Sequence, residues 1–218
     1  MAIAVENSGT GGWNQDVTIE ITVNCSNPYL FVAVMPTNGF QSITYNSVEF
    51  TRKEAYSIAI NQCRMCGIVP AQGTHDLVIT DTGGGSAQGG LIWVLLSGVS
   101  GSNPVGASGS DSTYNTISVN ITPLFNNSMT IEGQFAYSDA YTTDITEDYG
   151  QTQQQKIIGF SESDSRSMAV ATEQQTTGAT TVGATVTRVP SGNILLLDVV
   201  WEIADTNETG GGSFLPFL

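Results

Sequence analysis

Cations are scarce in this chain. Lys53, Lys156, Arg52, Arg64, Arg166 and Arg188 are its only Lys and Arg residues, against 20 acids in 218 residues, a formal net charge of -14 at pH 7. Binding phosphates requires clustered cations that release counterions, so this balance argues against a nucleic-acid or anionic-membrane surface. Histidine is rarer still: Ser-His-Asp chemistry could rest only on His75. Cysteine is limited to Cys25, Cys63 and Cys66, an odd number and too few for a disulfide scaffold. Cys63 and Cys66 have CxxC spacing, but their neighbours read as strand and no second ligand pair completes a zinc site, so buried free thiols are expected. No apolar run approaches the roughly 20 residues a membrane-crossing helix needs.

Catalytic signatures are missing as well. The chain holds no Gly-x-Ser-x-Gly elbow, no Walker-type loop and no His-Glu-x-x-His helix. Asp81-Thr82-Gly83 matches the triplet of aspartic proteases, which work with two such carboxylates sharing a proton. Here one triplet runs on into Gly84-Gly85, which reads as a glycine-rich turn. Asp139, Asp144, Glu147 and Asp148 are hard oxygen donors in one polar stretch, of a kind that can hold Ca2+; without EF-hand spacing they read first as a solvated acidic loop, with a Ca2+ site as the alternative. Four Asn-x-Ser/Thr triplets, at Asn24, Asn120, Asn126 and Asn207, are what an Asn/Ser/Thr-rich chain produces by chance. Trp13, Tyr114, Tyr137, Tyr141 and Tyr149 fall in or near expected loops, where exposed rings would suit a sugar. No cofactor is expected. Residues 1–6 carry neither a basic segment nor a long apolar one, so the expectation is synthesis in a cytoplasm without an export signal and use outside the cell.

What is present is strand after strand. Apolar residues make up 40% and charged ones 12%, a globular balance. Val17, Ile19, Ile21 and Val23 alternate with Thr18, Glu20 and Thr22, the period of a half-buried strand. Residues 29–35 are apolar without alternation and predict a central strand covered on both faces, ended by Pro36. Short strands are expected at 42–45 and 48–51 around a turn at Asn46-Ser47, then one strand over 55–65. Residues 75–80 and the very apolar 91–96 read as a central hairpin, and 97–114 as a long surface loop. Further strands are expected near 116–121, 129–137, 156–160, 167–172, 184–189 and 193–203, with a polar stretch over 138–155 and a short helical option at 151–158.

The pattern predicts an all-β fold: a two-sheet antiparallel β-sandwich, jelly-roll-like, of about a dozen strands, in a single domain over 1–204. Residues 205–218 form a glycine-linked tail ending in Phe214, Leu215, Pro216, Phe217 and Leu218. Burying such side chains contributes about 1.5–3 kcal/mol each, so the tail is expected to dock, on its own sandwich or as an assembly contact on a neighbour.

The segments Leu30-Phe31-Val32-Ala33-Val34, residues 42–52, residues 73–80, residues 98–107 and the closing strand to Trp201 together resemble β-sandwich proteins of tailed-phage virions and bacterial surfaces. The resemblance covers most of the chain and contains no chemical motif. It implies a non-catalytic module of a bacteriophage virion, a capsid decoration or cement protein, head fibre or tail component. Such a module would act as a homo-oligomer with other virion proteins, binding no nucleic acid and no membrane. A carbohydrate-binding or adhesin module, with a glycan as ligand, is the alternative.

Overall fold

A computed structural model describes residues 2–13, 16–36, 40–58, 61–81, 89–138, 142–158, 165–175, 180–188 and 194–206. Among these there is no helix, and seventeen strands form four antiparallel sheets. The first half contains β1 (Ala4–Trp13), β2 (Val17–Val23), β3 (Tyr29–Pro36), β4 (Phe40–Tyr45), β5 (Val48–Glu49), β6 (Arg52–Ile58), β7 (Asn61–Ile68), β8 (Gly73–Asp81) and β9 (Gly89–Ser97). The second contains β10 (Val105–Tyr114), β11 (Thr116–Ile121), β12 (Met129–Ser138), β13 (Thr142–Glu147), β14 (Thr152–Ile157), β15 (Ser165–Gln174), β16 (Thr180–Arg188) and β17 (Leu195–Ile203).

The two halves have the same connectivity. In the first, β1-β9-β3-β7-β6 forms one sheet and β2-β8-β4-β5 the other; in the second, β10-β17-β12-β15-β14 faces β11-β16-β13. Replacing β1, β2, β3 and β4 by β10, β11, β12 and β13, and β6 to β9 by β14 to β17, converts one order into the other, save for the two-residue edge strand β5, which has no counterpart among the described residues. In each half the last strand returns to lie between the first and third, the jelly-roll arrangement. Even an irregularity repeats: the pairing of β1 with β9 slips between Val5 and Asn7, and that of β10 with β17 between Val105 and Ser108. The expected sandwich is therefore built twice.

The four sheets stack as layers. Leu30, Val32, Val34, Leu91, Trp93 and Leu95 on one face of β3 and β9 pack with Ile21, Ile43, Leu77 and Ile79 of the outer sheet. The opposite face, with Phe31, Met35, Ile92 and Leu96, packs on Ile131, Phe135, Met168, Val199 and Trp201 of the second half. Beyond β12 and β17 lies the last layer, with Ile117, Val119, Ile145 and Val182 facing inward. Both five-stranded sheets are thus covered on both faces, and for β3 this is what the unalternating 29–35 run predicts. Pro36 is the last residue of β3.

The halves meet through polar contacts as well. The Trp201 ring meets Phe31 edge-on at 5.6 Å between centroids, and the Arg52 guanidinium lies over it at 4.7 Å. Trp201 Nε1 donates to Glu54 Oε2 at 3.0 Å, and the same carboxylate accepts from Tyr56 and pairs with Arg52. Close packing also fixes one glycine: a Cβ on Gly183, whose φ is +155°, would sit 2.1 Å from the Ile117 carbonyl oxygen.

Several expectations need correction. Strands β8 and β9 lie in different sheets and form no hairpin. β8 alternates, burying Leu77 and Ile79 and exposing Thr74 and Asp76, as an outer strand does, whereas β9 is buried throughout. Residues 55–65 are not one strand but parts of the antiparallel pair β6 and β7, with Ile58 opposite Asn61. The 97–114 surface loop is a loop only to Pro104; residues 105–114 are β10, whose small polar side chains suit an exposed edge. The polar 138–155 stretch contains β13, and 151–158 is the edge strand β14, not a helix. The strand count exceeds a dozen because these polar edge strands lack apolar alternation.

Candidate functional site

The residues singled out from the sequence are dispersed. His75 lies in β8 with its Nε2 2.9 Å from the Gln72 carbonyl oxygen and its ring edge-on to Tyr45. Asp81 ends β8, and Thr82 and Gly83 lie outside the described residues. Of the acids between 139 and 148, Asp139 lies outside them too, Asp144 and Glu147 belong to β13 and not to a loop, and Asp148 sits in the exposed bend that follows it. Each has its own partner: Asp144 pairs with Lys156, Glu147 accepts from Gln134 and Gln153, and Asp148 accepts from Thr185 at 2.6 Å. Tyr114 and Tyr149 are exposed, Tyr137 packs on the core, β1 ends at Trp13, and Tyr141 is outside. The Phe214, Leu215, Pro216, Phe217 and Leu218 tail also lies outside the described residues.

Cys63 and Cys66 are free and buried in β7. Three residues apart on a strand, they point to opposite faces. Cys63 enters the core between the halves and Cys66 the core of the first sandwich. Burial pushes both thiols up, Cys66 to about 12, so neither is a thiolate nucleophile near neutrality.

What the fold does bring together is a set of buried carboxyls that the sequence reading passed over. On the face of β12 and β17 turned toward β11-β16-β13 stand Thr130, Glu132, Gln134, Asp198 and Glu202, all within 1% of complete burial. The corresponding face of the first half is apolar. The signal was a lone Asp inside Leu195-Leu196-Leu197-Asp198-Val199-Val200, and acid and amide alternating with Ile131 and Phe135.

Two kinds of carboxylate occur here. Glu202 is satisfied: its oxygens accept from the backbone N–H groups of Ala107 at 2.9 Å and of Leu124 and Phe125 at 2.8 Å each. It ties the irregular start of β10 and the 122–128 loop to β17. Glu132 and Asp198 are different: they face each other, with the Gln134 amide and the Val199 N–H nearby, but with both carboxyls ionised none of their four oxygens has a donor in full hydrogen-bonding geometry. Burial, then the charges of Asp198 and of Glu147 nearby, hold the Glu132 carboxyl well above the usual carboxylate range. Burial likewise pushes Asp198 up to about 7. The pair behaves as two acids sharing a proton.

A folded state that keeps protons the unfolded chain releases loses stability as pH rises. With divalent cations chelated, unfolding free energy is expected to be highest below about pH 4 for this pair and to fall toward pH 8, by up to about 1.4 kcal/mol per pH unit per proton. Urea titrations of the wild type and Asp198→Asn at several pH values check this; equal pH dependence in the two would refute the assignment.

Sealed between sheets, the pair can hold a proton or an ion and shows no atom to solvent. Among the described residues, no three His, Cys, Asp or Glu side chains form a metal-binding group. The first sandwich has an open feature instead, a hollow of about 310 Å3 on its outer sheet lined by Glu20, Asn46, Ser47, Thr74, His75, Asp76 and Val78. No family model, no curated protein and no solved structure matches this chain.

Proposed function

We propose that this protein is a structural component of a bacteriophage virion, a decoration or cement protein that adds buried surface between neighbouring subunits. The observation that carries this reading is the doubled jelly roll, in which two sandwiches share one continuous apolar core through Phe31, Met65, Phe135 and Trp201. Such a block is stiff, and its outer sheets and edge strands are free to meet other subunits. Edge strands β1 and β10 carry mainly Gly, Ser, Ala and Thr, which lets another surface approach closely. The acidic surface keeps assembled particles dispersed, and the apolar tail from Phe214 to Leu218 supplies an adhesive end.

The test compares the full chain with Phe214→Asp/Phe217→Asp in light scattering on a sizing column. An oligomer that falls to a monomer in the variant supports assembly through the tail. A full chain that stays monomeric and is absent from purified particles by mass spectrometry overturns the reading.

A second reading, a glycan-binding module, is favoured by the hollow around Thr74 and Asp76, whose lining offers hydroxyl, amide and carboxylate groups suited to sugar hydroxyls. Glycan-array binding lost in Asp76→Ala would select it.

A further inference from the structure

We propose that the sealed layer between the β10-β17-β12-β15-β14 sheet and the β11-β16-β13 sheet binds a hard divalent cation of the Ca2+ class, through the carboxylates of Glu132 and Asp198 and the amide oxygen of Gln134.

Strand register brings the three side chains together. Gln134 and Asp198 are opposed across β12 and β17, and Glu132 stands two residues along the same face of β12. Opposed residues in such a ladder have Cβ atoms about 4.5–5.5 Å apart and diagonal ones about 7–8 Å, a span these side chains close around one ion. The amide of Gln134 has one oxygen left over. Its Nε2 donates to Glu147 Oε2 at 2.6 Å, which fixes Oε1 as its free end.

Unmet demand is the argument for an ion. Both oxygens of Glu132, both of Asp198 and Oε1 of Gln134 are buried with no donor in full hydrogen-bonding geometry, although the Gln134 amide and the Val199 N–H lie near the two carboxyls. Buried oxygens of this kind are costly without a partner. One proton shared by the two carboxyls serves two of the five and leaves a net negative charge in the core. A divalent cation serves all five and cancels both charges, and Ca2+ takes carboxylate and amide oxygens together. Glu147 stands outside the set, because its oxygens already accept from Gln134 and Gln153; it is a positioning residue. Asp111 of β10 adds to the negative field at Asp198.

The test uses the full-length protein stripped with EDTA and titrated with CaCl2, following the thermal midpoint and the heat of binding. Ca2+ at a hundredfold its dissociation constant is expected to raise the midpoint by about 5–10 °C. Asp198→Asn and Glu132→Gln should abolish the rise, while Asp148→Asn, which alters an exposed acid, should keep it. Both amide replacements preserve shape and remove buried charge, so circular dichroism should show them folded. No midpoint change up to about 10 mM Ca2+, beyond the weakest usual protein sites, overturns the proposal. So does a rise that survives both amide variants, which would place the ion on surface acids.

Discussion

Trp201→Ala is expected to cost about 3–5 kcal/mol of unfolding free energy, the range for emptying a buried Trp site. The side chain is fully buried where the two sandwiches meet, edge-on to Phe31, beneath Arg52 and bonded to Glu54. Its removal opens a cavity between two rigid sheets that cannot close on it. It also takes a hydrogen-bond donor from a carboxylate that Tyr56 and Arg52 share. Trp201→Phe keeps a ring against Phe31 and loses the indole N–H, so about 1–2 kcal/mol is expected there. Urea unfolding followed by far-UV circular dichroism separates the two. A Trp201→Ala protein within about 1 kcal/mol of wild type would mean that the interface between halves contributes little.

Glu202→Ala is the second large effect, about 3–5 kcal/mol, because it strips an acceptor from three amides at once. Ala107 falls in the slip of the β10–β17 ladder between Val105 and Ser108, and Leu124 and Phe125 lie in the loop before β12, so Glu202 accepts from amides the ladder does not pair. Hydrogen exchange gives the local reading: amide protection at these three residues should drop in the variant while that of β3 and β9 stays. Glu202→Gln retains one oxygen and points an N–H group at N–H donors, so it should fall between wild type and Ala. If all three amides stay protected in Glu202→Ala, the latch assignment is wrong.

The sequence was legible where burial imposed a simple period. The apolar 29–35 run located a doubly covered strand, Val17 to Val23 a half-buried one, and Asn46-Ser47 a turn whose residues adopt positive φ of 51° and 61°. It misled where strands are polar. Residues 105–114 and 152–157 are edge strands whose backbone pairs on one side only, and Ser, Gly, Thr and Gln there leave no alternation to read. Partnership was also hidden. That 75–80 and 91–96 are neighbours in sequence says nothing of the β3 and β1 that flank β9, because jelly-roll pairing joins segments tens of residues apart. The doubled connectivity stayed out of sight for the same reason: equivalent strands share positions in a sheet but not side chains, Leu91 and Trp93 serving in one half and Asp198 and Glu202 in the other. The acid pair at Glu132 and Asp198 was visible as two letters inside apolar runs; only the register makes them neighbours.

One pairing carries a mechanical consequence. In each sandwich the opening strand lies antiparallel to the closing one, with Ala4 beside Ser97 and Val105 beside Ile203. Tension entering at residue 4 and leaving at residue 97 meets the ladder end-on and peels it rung by rung, instead of shearing all its rungs together. The protein is accordingly expected to yield at low force when stretched between these points, one rung at a time.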